Sequence, residues 1–254
     1  MPQPKKLINS LHRAMTIVDL FTEKQPAWKL SEISRELELN KSTVHGLLKT
    51  LMHHGYIAQD PESEKYKLGL RFAEKGHLVM AGLDVRRVAT PFLQEITDKY
   101  GDATHLAVLD GGEAVYIEKI EGRSAIGMYS RVGKRAPLYC TAVGKVLASG
   151  ESERVIQELA THQTYTTHTE HTIKNIEEFI TSIHHVAKQG YALDDEELEL
   201  GLRCMAVPIY DRDKRILAAM SISGPIARIT KADLPTIISD LKAQAQKISV
   251  QLGY

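Results

Sequence analysis

Residues 40–69 read NKSTVHGLLKTLMHHGYIAQDPESEKYKLG. The first half has the periodicity of a helix and the second half that of a hairpin. Val44, Leu47, Leu48 and Leu51 recur at three- and four-residue spacing, which gathers them into one apolar stripe. Asn40 stands where a helix cap is expected, and Gly55 where a helix stops. Opposite the stripe, Ser42, His45, Gly46, Lys49 and His53 fall within one narrow arc. YIAQD and KYKL are short runs of strand-forming residues around the polar, proline-containing turn PESE, which predicts a β-hairpin.

Upstream, Leu11, Ala14, Met15, Val18 and Phe21 follow Leu7 with helical spacing and predict a first helix. In LSEISREL, Leu30, Ile33, Ser34 and Leu37 predict a shorter second helix, tightly connected to the third. Three helices and a hairpin make a winged helix-turn-helix. Downstream, the pattern is helical again from about Leu70 to Val88, punctuated by Gly69, Gly76 and Gly82, and reads as a linker helix. The expected division is the winged helix-turn-helix with its linker over residues 1–83 and a second domain over 84–254.

The third helix has the chemistry to read duplex DNA. Residues 39–59 hold no acid but carry Lys41, Lys49 and three histidines, so phosphates can approach without repulsion. Small polar residues in the first turns of such a helix reach base edges in the major groove, which makes Ser42, Thr43 and His45 the base-reading candidates. Lys41, Lys49 and, in the wing, Lys65 suit phosphates, which position a protein without specifying sequence. A polar face opposite an apolar stripe needs no purpose beyond solvation; the hairpin and the acid-free stretch favour the DNA reading.

Charge as a whole is uninformative, with 32 basic and 32 acidic side chains. No run approaches the roughly 18 apolar residues of a membrane span, and the start lacks a secretory segment, so a cytoplasmic protein is expected. Cys140 and Cys204 form no CxxC pattern and suggest neither a disulfide framework nor a zinc site. His162, His168, His171 and the pair His184–His185 match no strong zinc spacing. The run THQTYTTHTEHT around the first three reads as a polar surface connection. No metal and no cofactor are expected.

The remainder mixes helices and strands without βαβ alternation. VATPFLQEITDKYG is helical, then THLAVLD, EAVYIEKI and SAIGMYSR read as strands, followed by a helix from Ala142 to Ala148 and the strands RCMAVPIYD and ILAAMSIS. This predicts an α+β domain with a largely antiparallel sheet. At Thr141, Ala142 and Val143 a strand end turns into a helix, whose first N–H groups and small side chains suit a carboxylate. Gly144-Lys145 is not a phosphate loop, because GxxxxGK[ST] requires glycine at Tyr139 and Ser or Thr at Val146. Ser221 and Ser223, two apart on a strand, turn both hydroxyls to one face. Local hydrogen bonding would also explain the serines, and simple burial Cys204.

Two other functions compete: a sugar-acid-processing enzyme using Cys140 or Cys204, and an effector-binding interaction scaffold. No nucleophile-base signature or glycine-rich cofactor loop supports the first, and it leaves the third helix without a use. The second requires that the N-terminal helices bind no DNA.

The segment 40–69 closely resembles the DNA-binding module of IclR-type bacterial transcriptional regulators. The resemblance continues through YSRVGKRAPLYCTAVGKVL, GYALDDEELELGLRCMAVPIYD, SISGP and KISVQLGY, which look most like the branch controlling pectin and hexuronate breakdown. It implies a GAF-like effector domain, a homodimer or dimer of dimers, and a small organic acid effector such as 2-keto-3-deoxygluconate. Family members bind small keto acids at positions matching Ala142 and Val143. The resemblance further places Met128, Asp194, Leu202, Cys204, Ser221 and Ser223 around one pocket, Asp194 accepting from hydroxyls and Met128 and Leu202 forming an apolar wall. One departure is Gly46, where relatives commonly carry Arg.

Overall fold

The computed structural model describes residues 7–123 and 130–254. The chain forms two compact units, one ending at Gly82 and one spanning Leu83–Tyr254.

In the first unit, helices α1 (Asn9–Asp19), α2 (Leu30–Glu36) and α3 (Lys41–His53) enclose a small core. A three-stranded antiparallel wing lies beside them, made of β1 (Ala27–Trp28), β2 (Ile57–Gln59) and β3 (Tyr66–Leu68) in the order β1-β3-β2. Val44 and Leu48 of α3 are buried with Ile17, Ile33, Ile57 and Tyr66, while Leu47 and Leu51 pack around them. Each such buried aliphatic side chain contributes about 1.5–3 kcal/mol. Ser34 Oγ donates to the Leu39 carbonyl at 2.5 Å and closes the turn between α2 and α3. Asn40 occupies the N-cap position of α3, but its side chain makes no capping bond. The expected apolar face of α1 is rotated: Ile17 is the buried residue, whereas Leu11 and Met15 are 60% and 49% exposed. Spacing alone admits either face, because apolar residues occupy both.

After the wing, the chain folds back on the end of α3. A Cβ on Gly69 would stand 2.1 Å from the Gly55 carbonyl oxygen, so only glycine permits the crossing, and the Gly69 N–H donates to Tyr56 O at 2.7 Å. The helical stretch expected over 70–88 is two helices. α4 (Arg71–Ala81) ends at Gly82, Leu83 turns extended (φ −91°, ψ 91°), and α5 (Asp84–Tyr100) starts afresh. Glycine propagates helix poorly, and Asp84 is favourable in a first turn, so the break falls between them.

The second unit is built on a six-stranded antiparallel sheet in the order β6-β5-β4-β9-β8-β7. Its strands are β4 (Ala103–Asp110), β5 (Glu113–Ile120), β6 (Arg135–Ala136), β7 (Ala192–Asp195), β8 (Leu202–Tyr210) and β9 (Ile216–Pro225). The remaining helices are α6 (Ala142–Ser149), α7 (Glu153–His162), α8 (Ile176–Gln189) and α9 (Leu234–Gln251). This is the α+β class with an antiparallel sheet that the sequence predicts. The strands β6 and β7 and the helices α7, α8 and α9 were not singled out in the sequence; SAIGMYSR falls largely outside the described residues.

The two sheet faces differ in side-chain size. Leu106, Met205, Val207, Met220 and Ile222 alternate with Ala107, Ala206, Ala219, Ser221 and Ser223, all of them buried. Thr104 lies on the large-residue side and donates to Leu93 O of α5 at 3.1 Å, which places α5 there. Ala107, Ala206 and Ala219 share a buried cluster with Ala142, Val143 and Val146, so α6 covers the small-residue side. Small side chains let α6 approach the sheet and leave room beside it.

Candidate effector cavity and nucleic-acid interface

On α3, Lys41, Ser42, His45, Gly46 and Lys49 are exposed, opposite the buried Val44 and Leu48. Thr43 lies on the shoulder and is half-buried. Lys65 closes the hairpin, its carbonyl accepting from Asp60 N at 2.9 Å, and is half-buried just before β3. The candidate DNA-reading residues of α3 thus run from its first turn to Lys49 at mid-helix, on a helix held by its other face. A Cβ built on Gly46 meets no atom within 4 Å, so this position accommodates any side chain.

The second unit contains a cavity of about 500 Å³ on the small-residue face of the sheet. Seven of the eight expected effector residues line it: Ala142, Val143, Asp194, Leu202, Cys204, Ser221 and Ser223. Met128 lies outside the described residues. The strand register explains the convergence: Asp194 pairs with Cys204 and Cys204 with Ser223, forming one polar row across β7, β8 and β9. His105 on β4 pairs with Ser221 in the adjoining row and also lines the cavity.

Thr141 caps α6, accepting from Gly144 N at 3.1 Å while donating to Pro137 O at 2.6 Å. The N–H groups of Ala142 and Val143 have no carbonyl to reach within the helix. Gly144 is needed because a Cβ there would stand 2.5 Å from Leu138 Cα. Lys145 is already committed within the protein: its side chain is 4% exposed and pairs with Glu197 Oε1 at 2.6 Å, and its ammonium also donates to Leu193 O. Gly144 and Lys145 therefore dock the helix rather than cradle a phosphate.

The acidic run DDEE is not a solvated loop. Asp195 is bound by Arg203 at 2.6 Å, and Asp194 Oδ1 accepts from Glu197 N at 2.8 Å. Burial pushes the Asp194 carboxyl up to about 7 and Glu197 upward, each opposed by the Lys145 charge. Burial pushes the Cys140 thiol up to about 12 and drives Cys204 well above its ordinary value, Asp194 reinforcing both. Burial therefore works against a thiolate at either sulfur, which weakens the enzyme reading.

The Thr/His-rich stretch is more than the surface connection expected of it. Thr169 and Thr172 are buried and donate to the carbonyls of Glu196 and Glu197, each at 2.6 Å, while His168 lines the cavity. Hydroxyls that repeat this densely can hold backbone as well as face solvent, and sequence does not separate the two. Among the described residues no group of three His, Cys, Asp or Glu side chains is placed to hold a metal. Sequence reasoning also missed His105, Tyr116, Ser130, Lys134 and Glu199, all lining the cavity. Only the alternation in THLAVLD, which sets His105 on the face of Ala107, carried a signal.

A winged helix-turn-helix in one unit and a ligand-sized cavity with convergent polar groups in another define a DNA-binding regulator with its own sensing domain. The chain belongs to the IclR family of bacterial transcriptional regulators. Residues 10–61 match the IclR helix-turn-helix domain and residues 77–250 the C-terminal domain of bacterial transcriptional regulator IclR. It is 43% identical over 248 residues to the HTH-type transcriptional regulator XynR of Escherichia coli (strain K12), covering 98% of both chains. It is 39% identical over 225 residues to KdgR of the same strain, covering 89% of this chain and 86% of that one. The crystal structure of the Thermotoga maritima IclR matches with a TM-score of 0.77 at 31% identity, covering 98% of this chain and 100% of the other. The family resemblance therefore holds, near the KdgR branch, and the regulators named among the relatives decide against an enzyme. Among the described residues, no helix is long and apolar enough to cross a membrane.

Proposed function

We propose that this regulator is a cytoplasmic repressor whose operator binding is controlled by a sugar or keto acid held in the cavity of its second unit, with 2-keto-3-deoxygluconate the first candidate. The observation that carries this reading is the convergence of the α6 start, Ser221, Ser223, Asp194 and Cys204 on one cavity of about 500 Å³. The carboxylate is held by the N–H groups of Ala142 and Val143, and hydroxyls by the serines and Asp194. Leu202 lines the apolar side, and the resemblance adds Met128. The resemblance to the branch controlling pectin and hexuronate breakdown, with KdgR among the relatives, favours the sugar acid over a shorter keto acid.

Ser42, Thr43 and His45 read bases in the major groove, while Lys41, Lys49 and Lys65 hold phosphates. Two copies bind half-sites about 34 Å apart on a partly palindromic operator. Leu11, Met15, Leu78 and Val79, all exposed on α1 and α4, offer apolar surface for a homodimer, which can pair again into a dimer of dimers. The effector acts by its different affinity for two arrangements of that assembly.

The test is titration calorimetry with 2-keto-3-deoxygluconate, pyruvate and glyoxylate, paired with operator binding. Saturable binding strongest for the sugar acid, abolished together with the operator response in Ser221→Ala/Ser223→Ala, is the expected result. A fully responsive double variant would show that the effector binds elsewhere.

A further inference from the structure

His105 and Ser130 form a polar pair on the cavity wall that the effector reading above does not use. The His105 side chain is buried, the residue being 2% exposed, and its Nε2 lies 2.8 Å from Ser130 Oγ; its Nδ1 has no hydrogen-bond partner. Both residues line the cavity. The neutral imidazole has two tautomers. With the proton on Nδ1, a buried N–H would be left without an acceptor; with it on Nε2, only a lone pair goes unfilled, and buried orphan N–H groups are the rarer of the two. Burial first and the Lys119 charge second hold the imidazole at about 3, so the neutral form is the relevant one. Nε2–H therefore donates to Ser130 Oγ and occupies the hydroxyl as an acceptor. The Ser130 proton is left to turn toward the cavity. Lys119 Nζ holds the Ser130 carbonyl at 2.8 Å, which fixes the backbone that carries the hydroxyl.

We propose that Ser130, oriented by His105, is a ligand-contacting donor that binds an oxygen on the carbon chain of the effector and selects linear five- and six-carbon sugar acids over three-carbon keto acids. The proposal rests on the effector reading above. Its length argument comes from the sheet. His105 stands on β4 and Asp194 on β7, three strands apart in the order β4-β9-β8-β7. At about 4.8 Å per strand the polar positions extend over roughly 14 Å. A three-carbon acid covers roughly one strand spacing and a six-carbon acid roughly two, so a ligand engaged by Ser130 beside His105 on β4 keeps contacts as far as Cys204 on β8 only if it has the longer chain. His105 acts through Ser130 and is a positioning residue.

The experiment is calorimetry on the full chain with linear five- and six-carbon sugar acids, 2-keto-3-deoxygluconate among them, and with pyruvate. Ser130→Ala is expected to weaken the preferred sugar acid about 10-fold, the size of one lost neutral hydrogen bond, and to change pyruvate binding less than 2-fold. Ser130→Thr, which keeps the hydroxyl, restores the affinity. His105→Leu reproduces the selective loss, and His105→Gln, which keeps a donor, recovers part of it. Thermal melts of the same samples establish that each variant is folded. An unchanged sugar-acid affinity in Ser130→Ala, or an equal loss for both ligand lengths, overturns the assignment while leaving the effector reading intact. Failure of the unmodified protein to bind any sugar acid overturns both.

Discussion

Replacing Gly46 by arginine tests the placement of α3 on DNA. Gly46 is exposed in the middle of the helix, on the face opposite Val44 and Leu48, and a Cβ there meets nothing within 4 Å. The substitution therefore costs no packing and removes a glycine from a helix interior, worth about 0.5–1 kcal/mol of stability. Gly46→Ala isolates that term. The arginine adds one cation to a face that already presents Lys41, His45 and Lys49. One further phosphate contact steepens the plot of log affinity against log salt by about 0.9. A charge-assisted hydrogen bond worth about 1.5–3 kcal/mol tightens binding roughly 10- to 100-fold at low salt. The assay is fluorescence anisotropy on operator DNA across a salt series, with both variants and the unmodified protein. Gly46→Ala should raise the melting temperature without altering the slope. If Gly46→Arg leaves the salt slope unchanged, the exposed face of α3 is not the face that meets DNA.

Three further perturbations probe the second unit. Gly144→Ala forces a Cβ to within 2.5 Å of Leu138 Cα and should displace the start of α6, lowering both the melting temperature and effector affinity; retained affinity would place the carboxylate elsewhere. Lys145→Met leaves Glu197 buried without its cation and should destabilise by about 3–5 kcal/mol, much of it recovered in Lys145→Met/Glu197→Gln, as chemical denaturation would show. Burial raises the Asp194 carboxyl from its ordinary 3.8 to about 7, so the folded state holds this proton more tightly than the unfolded chain. The stability associated with that proton is lost as pH rises through 7. Asp194→Asn should therefore gain stability relative to the unmodified protein between pH 4 and pH 8, and melts showing a constant difference would count against the burial argument.

The parts of the fold written in periodicity were legible: α3, the hairpin and the antiparallel strands β4, β5, β8 and β9 follow from spacing that one face of each element must satisfy. Where two faces are apolar, spacing does not choose between them. On α1, Ile17 rather than Leu11 and Met15 enters the core, a choice set by what packs against it. The β7 strand escaped because ALDD looks like the edge of an acidic loop until Arg203 and Lys145 supply its cations. Seven of the eight expected effector residues meet at one cavity, but the resemblance supplied Asp194, Leu202 and Cys204. Spacing pointed only to the serines and the helix start. His105 and Ser130 are 25 residues apart and meet only through tertiary packing, for which a sequence has no local mark.

The crossing at Gly69 has a mechanical consequence. Because the backbone leaving the wing rests directly on Gly55 at the end of α3, the recognition helix and the wing form one lever with no joint between them. A signal reaching this module from its C-terminal side can carry the whole lever, but it has little scope to reshape it. In the dimer proposed above, the operator sequence that each copy prefers should therefore stay the same with and without the proposed effector, while the spacing tolerated between half-sites changes.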